Sequence, residues 1–319
     1  MGLKILCLMD PVENVDIEAD TTFVLLLEAQ SRGHEIHYAQ PQALYLRGDQ
    51  PGCRAQPLTL RREAGRFSEL GEPADLKLNE LDAIFIRKDP PFDIDYYLAT
   101  LVLERVDRNR VVMLNDPQAL RDFNEKMLAM WWPHLMPPTL ISAERARIRD
   151  FIQEHGTCVV KPLINAGGEG ILRLYRDDKN TRSAVDLLTQ MGKRMIEVQA
   201  FIEAIEQGDK RVILVDGEPA GAVNRVPSPT DIAANMHVGG RAEKAELTER
   251  DRAICAELGP FLAKRGLILV GLDVIGGFLT EVNITSPTGL QEIAHFDGVH
   301  IERQIIDAVE AKVRARRSS

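Results

Sequence analysis

Asp273, Glu281 and Asn283 place hard oxygen donors inside a run of Val, Ile and Leu that reads as two short strands. Charged groups are costly to bury unless they are paired or bound to a cation. An all-oxygen set suits Mg²⁺, which takes carboxylates, waters and phosphate oxygens rather than sulfur or imidazole. The chemistry indicated is that of a metal and a nucleotide. Strand alternation puts Glu281 and Asn283 on one face, with Thr280, Val282 and Ile284 on the other. Asp273 lies on the preceding strand, across Gly276-Gly277. A regular two-residue turn pairs Asp273 with Thr280, on the wrong face. An odd-length turn or a bulge pairs it with Glu281 and gathers all three ligands, so an irregular hairpin is expected.

Other segments carry weaker signals. Val159-Val160-Lys161-Pro162 reads as a strand ending in Lys, followed by a turn containing Gly167 and Gly168. Glycines let a backbone approach phosphate, but neither a P-loop nor a dinucleotide fingerprint is present, and an ordinary hairpin reads equally well. Lys126 lies on a helix in Asn124-Glu125-Lys126 and by itself reads as a surface lysine. Gln199, Phe201 and Ile202 lie in a strand-like segment that leads to the charge run Asp209-Lys210-Arg211. Arg225, Asn235, Gly240 and Arg241 flank or occupy a polar loop at 227–247, long enough to be either functional or disordered. No Ser/His/Asp or Cys/His catalytic set assembles, in keeping with a reaction driven by positioning and electrostatics, such as phosphoryl transfer.

The elements that must position these residues follow an alternating pattern. Over roughly the first 120 residues strand and helix signals alternate, as for a parallel sheet with crossover helices. Strands are expected at Leu3–Met9, Glu35–Tyr38, Leu81–Ile86 and Val111–Leu114, and helices at Thr21–Arg32 and Tyr96–Asp107. Residues 47–75 read as loops or a small ribbon. A second block has helices around 118–130 and 143–155, with strands at Cys158–Lys161, Ile171–Leu174 and Met195–Phe201. A third has strands at Arg211–Val215 and Ala220–Val226 joined by Asp216-Gly217, helices at 248–265 and 299–314, and a frayed tail at Arg314–Ser319. The domain division expected is 1–121, 122–201 and 202–319.

Composition narrows the function classes. With 319 residues, 45% hydrophobic and 27% charged, the chain is long enough for two or three globular domains. Lys and Arg number 39 against 48 Asp and Glu, a net charge of −9 that argues against nucleic-acid binding. No apolar stretch reaches the roughly 20 residues that span a bilayer. The start Met1-Gly2-Leu3-Lys4-Ile5-Leu6 reads as a first core strand rather than a signal peptide. Four widely spaced cysteines, without a C-x-x-C, read as reduced core residues of a cytoplasmic protein.

Taken together the segments resemble the ATP-grasp ligases, and among them the bacterial glutathione synthetase family. The resemblance is carried by Arg87-Lys88-Asp89-Pro90-Pro91-Phe92-Asp93, Asn124-Glu125-Lys126, Gly208-Asp209-Lys210-Arg211, Gly239-Gly240-Arg241, Gly271-Leu272-Asp273 and Thr280-Glu281-Val282-Asn283-Ile284-Thr285-Ser286-Pro287-Thr288. It implies an α/β chain with an N-terminal Rossmann-like parallel-sheet domain followed by a two-lobed ATP-grasp fold. It further implies ATP-dependent joining of γ-glutamylcysteine to glycine through an acyl phosphate, with Mg²⁺, or Mn²⁺ in its place, and a homotetrameric assembly. On this resemblance Lys126 and Lys161 hold ATP phosphates beneath a flap at Gly167 and Gly168. Gln199, Phe201 and Ile202 form the adenine hinge, with Asp209 near the ribose. Asp273, Glu281 and Asn283 hold the metal, and Arg211, Arg225 and Arg241 neutralise the transferring phosphoryl group. Arg87, Asn235, Gly240 and Ser286 contact the peptide and amino-acid substrates. Asn165-Ala166 before the paired glycines, and Gln291 where an Arg is common, depart from the family pattern. A ligase with another amine acceptor, or a nucleotide-binding regulator without catalysis, are the alternatives.

Overall fold

The computed structural model describes residues 2–164, 170–227 and 240–318. In the N-terminal part, β1 (Lys4–Met9) is followed by α1 (Thr21–Ser31), capped by Asp20, whose carboxylate accepts from the Phe23 N–H. The chain returns in β2 (Glu35–Ala39) and then forms an antiparallel ribbon from β3 (Leu44–Arg47), β4 (Gln50–Leu60), β5 (Ser68–Leu70) and β6 (Ala74–Lys77). β7 (Ala83–Arg87) leads through α2 (Ile94–Leu103) to β8 (Val112–Leu114). The run β2-β1-β7-β8 is parallel throughout, and β7 is buried along its whole length, as expected for a strand covered on both faces.

The middle part begins with α3 (Pro117–Asp122) and α4 (Glu125–Ala129). These replace the single helix expected around 118–130. The break falls at Phe123-Asn124, where the Asn124 side chain accepts from the Lys126 and Met127 N–H groups and starts a new helix. There follow β9 (Thr139–Ser142), α5 (Arg145–His155), β10 (Thr157–Pro162), β11 (Leu172–Tyr175), α6 (Thr181–Leu188) and β12 (Ile196–Ala200). The strands form an antiparallel sheet in the order β11-β10-β12-β9.

The last part has β13 (Asp209–Val215), β14 (Glu218–Val226), β15 (Arg241–Lys244), α7 (Glu249–Lys264), β16 (Leu269–Ile275), β17 (Phe278–Asn283), α8 (Leu290–Asp297) and α9 (Ile301–Arg317). Its antiparallel sheet runs β15-β14-β13-β16-β17. The expected frayed tail is instead helical to Arg317. Its guanidinium reaches the Asp82 carboxylate at 2.6 Å and ties the last turn to the N-terminal sheet.

Packing divides the chain differently from its sequence order. One core joins Leu6, Ile84 and Met113 to Val212, Leu258 and Leu272, and a second joins Ile5 and Phe85 to Ile213, Ile305 and Val309. The first and last parts thus share their interior. The middle sheet has its own small core of Ile148, Ile152, Cys158, Val160, Val185 and Val198. Trp131 and Trp132 pack on Phe261 of α7, bridging the middle and last parts. All four cysteines are buried and free. Among the described residues no helix is long and apolar enough to cross a membrane.

Candidate active site

The β16–β17 hairpin resolves the parity question by a bulge. Gly276 and Gly277, at φ 56° and 81°, form a two-residue turn with the backbone that glycine adopts most readily. Ile275 faces Phe278 and Val274 faces Leu279. The register then slips past Thr280, so that Asp273 faces Glu281 and Gly271 faces Asn283. The Thr280 hydroxyl donates to the Asp273 carbonyl at 3.1 Å and holds the slip in place. Asn283 Nδ2 lies 3.2 Å from Asp273 Oδ2, which puts the three expected metal ligands together.

The neighbouring strands add charge. Register places Arg211 on β13 opposite Asp273, and Asp209 opposite Arg225 on β14. Arg211 grips Asp273 with Nε at 2.5 Å and Nη2 at 3.0 Å. Arg225 Nη2 bridges Asp273 Oδ2 at 3.0 Å and Asp209 Oδ2 at 2.5 Å. Burial works against ionisation of Asp273, but the two guanidiniums outweigh it and hold this carboxyl well below the usual range. For Asp209 burial wins: its carboxyl is pushed up to about 6, with Arg225 pulling it down and Asp273 adding to the rise. Its Oδ1 has no partner among the described residues.

Two lysines approach from other elements. The cap at Asn124 sets Glu125 and Lys126 in the first turn of α4. Glu125 is half-buried, and its Oε1 accepts from the Ile284 N–H, the Thr285 N–H and the Thr285 hydroxyl at 2.8–2.9 Å, pinning α4 to the end of β17. Burial, with Glu281 nearby, raises the Glu125 carboxyl. Lys126 is thereby turned inward, with Nζ 2.9 Å from Glu281 Oε1 and only 7% of the residue exposed, contrary to its plain reading as a surface lysine. From β10, Lys161 Nζ reaches Gln199 Oε1 at 3.1 Å and Glu197 Oε1 at 3.4 Å. Glu197 is fully buried, and its Oε2 has no partner among the described residues. Burial raises its carboxyl, against the pull of Lys161.

The remaining expected residues are spread more widely. Gln199 donates from Nε2 to the Thr139 hydroxyl at 3.1 Å, and Arg173 stacks 3.7 Å from the Phe201 ring centre. Ile202 precedes the short helical turn 203–207 and lies against the Gly276 turn. Arg87, at the carboxyl end of β7, is buried. It donates to the Thr22 hydroxyl and the Pro287 carbonyl at 3.0 Å each, and burial lowers its pKa. The neighbouring Ser286 is half-buried, as is Gly240 ahead of β15. Arg241 is not brought into the cluster: it is exposed and pairs with Glu243, two residues along its own strand. Gly167, Gly168 and Asn235 lie outside the described residues. A cleft of about 100 Å³ lined by Pro90, Phe92, Asn124, Lys126, Leu163 and Thr285 connects the loop after β7 to the lysine.

Sequence reading missed Glu125 as an anchor and Glu197 altogether. The available signal for Glu197 was parity, since it shares a strand face with Gln199 and lies directly opposite Lys161. The donor set of Asp273, Glu281 and Asn283 fits a hard cation such as Mg²⁺. Its carboxylates are held by Arg211, Arg225 and Lys126, so a metal and a polyphosphate would exchange partners with these groups rather than enter a vacant cage.

Comparison with known proteins gives a consistent picture. Residues 3–121 match the family model described as prokaryotic glutathione synthetase, N-terminal domain, and residues 125–298 match prokaryotic glutathione synthetase, ATP-grasp domain. A glutathione synthetase of Brucella melitensis is 45% identical over 312 residues, covering 98% of this chain and all of that one. One from Yersinia pestis is 41% identical, covering 99% of this chain and all of that one. Among solved structures, the D-cycloserine synthetase DcsG aligns with a TM-score of 0.67 at 16% identity, covering 97% of this chain and 99% of that one. The ATP-grasp ligase PsnB in complex with a minimal precursor aligns at 0.64 and 16%, covering 98% of this chain and all of that one. At such identity these two speak for the fold alone.

Proposed function

The chain belongs to the prokaryotic glutathione synthetase family, and we propose on that footing that its cleft joins γ-glutamylcysteine to glycine while ATP becomes ADP and phosphate. It is an ADP-forming ligase that uses ATP with Mg²⁺. In the reaction proposed, a cysteinyl carboxylate oxygen attacks the γ-phosphorus and ADP departs. The glycine amine then attacks the acyl carbon, phosphate leaves, and the nitrogen loses its proton. Asp273, Glu281 and Asn283 would hold Mg²⁺, which would supply positive charge to the nucleotide phosphates.

The chain's own residues do the positioning. Lys126 and Lys161 bind phosphate oxygens, and Gly167 and Gly168 take part in binding the nucleotide. Gln199, Phe201 and Ile202 take the adenine, with Asp209 on the ribose side. Arg211 and Arg225 stabilise charge on the transferring phosphoryl group, where preorganised donors act most strongly. Arg87, Asn235, Gly240 and Ser286 receive the peptide and the amino acid. The observation that supports this reading is the convergence of Lys126 on Glu281 beside the Arg211–Asp273–Arg225 network, which brings cationic groups and hard oxygen donors together at one place. We divide the chain at 121 and 201, assign it to the cytoplasm on the strength of its four free buried cysteines, and propose a homotetramer.

A coupled ADP-release assay with γ-glutamylcysteine and a panel of amines tests the reading. Glycine-dependent turnover is expected; ADP release that depends on another amine and not on glycine, or none with any amine, rejects it.

A further inference from the structure

A cavity of about 430 Å³ opens between the segment before α1, the β4–β5 connection, β15 and α8. That is within the roughly 300–1,000 Å³ of small-molecule sites. Its ionisable lining carries both signs: Glu18, Glu292 and Glu302 against Arg62, with the imidazoles of His295 and His300 beside them. The cavity adjoins the candidate active site along the chain. Gln291 in its wall stands three residues beyond Thr288, whose carbonyl accepts from Arg211 at 3.3 Å. An exposed arginine is ordinarily free to sample many rotamers. Arg62 is instead tied at four points: Nη1 donates to the Ile17 carbonyl at 3.1 Å, Nη2 donates to Gln291 Oε1 at 3.0 Å, the Glu18 carboxylate lies 3.6 Å away, and the Phe23 ring centre lies 5.5 Å from the guanidinium. Gln291 is fixed in turn, its Nε2 donating to the Asp20 carbonyl at 2.8 Å and the Ile17 carbonyl at 3.2 Å. At the position that departs from the family pattern by lacking an Arg, the Gln thus holds a guanidinium brought from the N-terminal ribbon.

We propose that this cavity receives a zwitterionic amino-acid head, the α-ammonium and α-carboxylate at the glutamyl end of γ-glutamylcysteine, with Arg62 and Gln291 as the receptor for the carboxylate. The assignment rests on the reaction proposed above and extends it to the end of the peptide remote from the carboxylate that is phosphorylated. The lining decides the class of ligand. A plain anion would meet three carboxylates and a plain cation a guanidinium, whereas a head with both charges satisfies both. The ties to Ile17 and Gln291 engage one N–H on each terminal nitrogen of Arg62 and leave further donors on the same planar fork, which suits a carboxylate. A guanidinium already held in place gives up little freedom when its ligand arrives. Glu18 and Glu292, in the same lining, supply negative charge for the ammonium.

Steady-state kinetics on the full chain test the assignment. Arg62→Gln should raise KM for γ-glutamylcysteine on the order of tenfold, with kcat, the KM values for ATP and glycine, and the melting temperature unchanged. N-(4-aminobutanoyl)cysteine, which lacks the α-carboxylate, should bind the native chain and Arg62→Gln alike, read as its inhibition constant against γ-glutamylcysteine. N-glutarylcysteine, which lacks the ammonium, should bind the native chain more weakly than γ-glutamylcysteine does. Joining Gln291→Arg to Arg62→Gln should restore the native KM, because the guanidinium returns from the other member of the pair. A native chain without glycine-dependent turnover of γ-glutamylcysteine overturns the proposed reaction itself. Turnover whose KM Arg62→Gln leaves unchanged overturns the assignment of this cavity, as does an equal loss of affinity for the analogue without the carboxylate. Equal binding of N-glutarylcysteine overturns the zwitterionic class, and a double exchange that fails to rescue overturns the pairing of Arg62 with Gln291 as one receptor.

Discussion

Lys126 Nζ stands 2.9 Å from Glu281 Oε1, so a cation suited to nucleotide phosphates and a carboxylate suited to a metal ion neutralise one another. The pattern repeats across the cleft: Lys161 faces Glu197, Arg211 grips Asp273, and Arg225 bridges Asp273 and Asp209. Buried charges must be paired. A metal–polyphosphate substrate replaces both halves of such pairs at once, the cation meeting the carboxylates and the anion meeting Lys and Arg. A free anion or a free cation replaces only one half and leaves the other exposed to the penalty of burial.

The first prediction separates the two carboxylates of the metal face. Glu281→Gln should lower kcat by about 10²–10³-fold, the scale of losing a charge contact at a transferring phosphoryl group, with little change in melting because its side chain retains 23% exposure. Asp273→Asn should cost activity and also about 3–5 kcal/mol of stability, since it strips the buried Arg211 guanidinium of its carboxylate and leaves Arg225 with Asp209 alone. Steady-state kinetics and denaturant titration of both variants decide it. Equal stability loss at the two positions would mean that Asp273 is less committed to the arginines than the geometry says.

Glu197 gives a prediction of opposite sign. Its buried carboxylate has one oxygen on Lys161 and one without a partner among the described residues. Replacing it by Gln removes a negative charge from beside the phosphate-binding lysine and lifts the cost of burying that charge. Glu197→Gln should therefore bind ADP several-fold more tightly, on the order of 1 kcal/mol, and melt at a higher temperature near neutral pH. Calorimetric titration with ADP and a melting curve check both; weaker ADP binding would make Glu197 a direct contributor to nucleotide recognition.

How much of this the sequence discloses depends on the range of the interaction. The Asp273–Glu281–Asn283 face is legible because it is local. Strand parity and the Gly276-Gly277 turn leave few registers, and the alternative with a bulge is the one adopted. The parallel run of the N-terminal sheet is legible for the same reason, from short apolar strands separated by helical periodicity. Lys126 is not, because its inward turn depends on a helix break at Phe123-Asn124 and on Glu125 reaching Thr285, 160 residues away. The pairing of Arg225 with Asp209 needs the β13–β14 register. β9, α6 and α8 pass unread because they are short, and the tail continues as a helix through a contact with Asp82 that no local pattern signals.

The last prediction concerns pH. Burial raises the folded-state pKa of Asp209 to about 6, above the 3.8 of an unperturbed carboxyl. The folded chain therefore holds this proton more tightly than the unfolded chain does. The stabilisation from protonated Asp209 is complete below about pH 3.8 and is lost as pH rises through about 6. Asp273 behaves oppositely: its pKa is depressed, so its contribution is present above the ordinary carboxylate range and is lost only in strong acid. Asp209→Asn removes the first titration and leaves the second. Between pH 4 and pH 7 the native chain should lose stability relative to Asp209→Asn, a divergence read directly from paired melting curves. Curves that stay parallel across that window would mean that Arg225 keeps Asp209 ionised throughout and that burial does not govern this carboxyl.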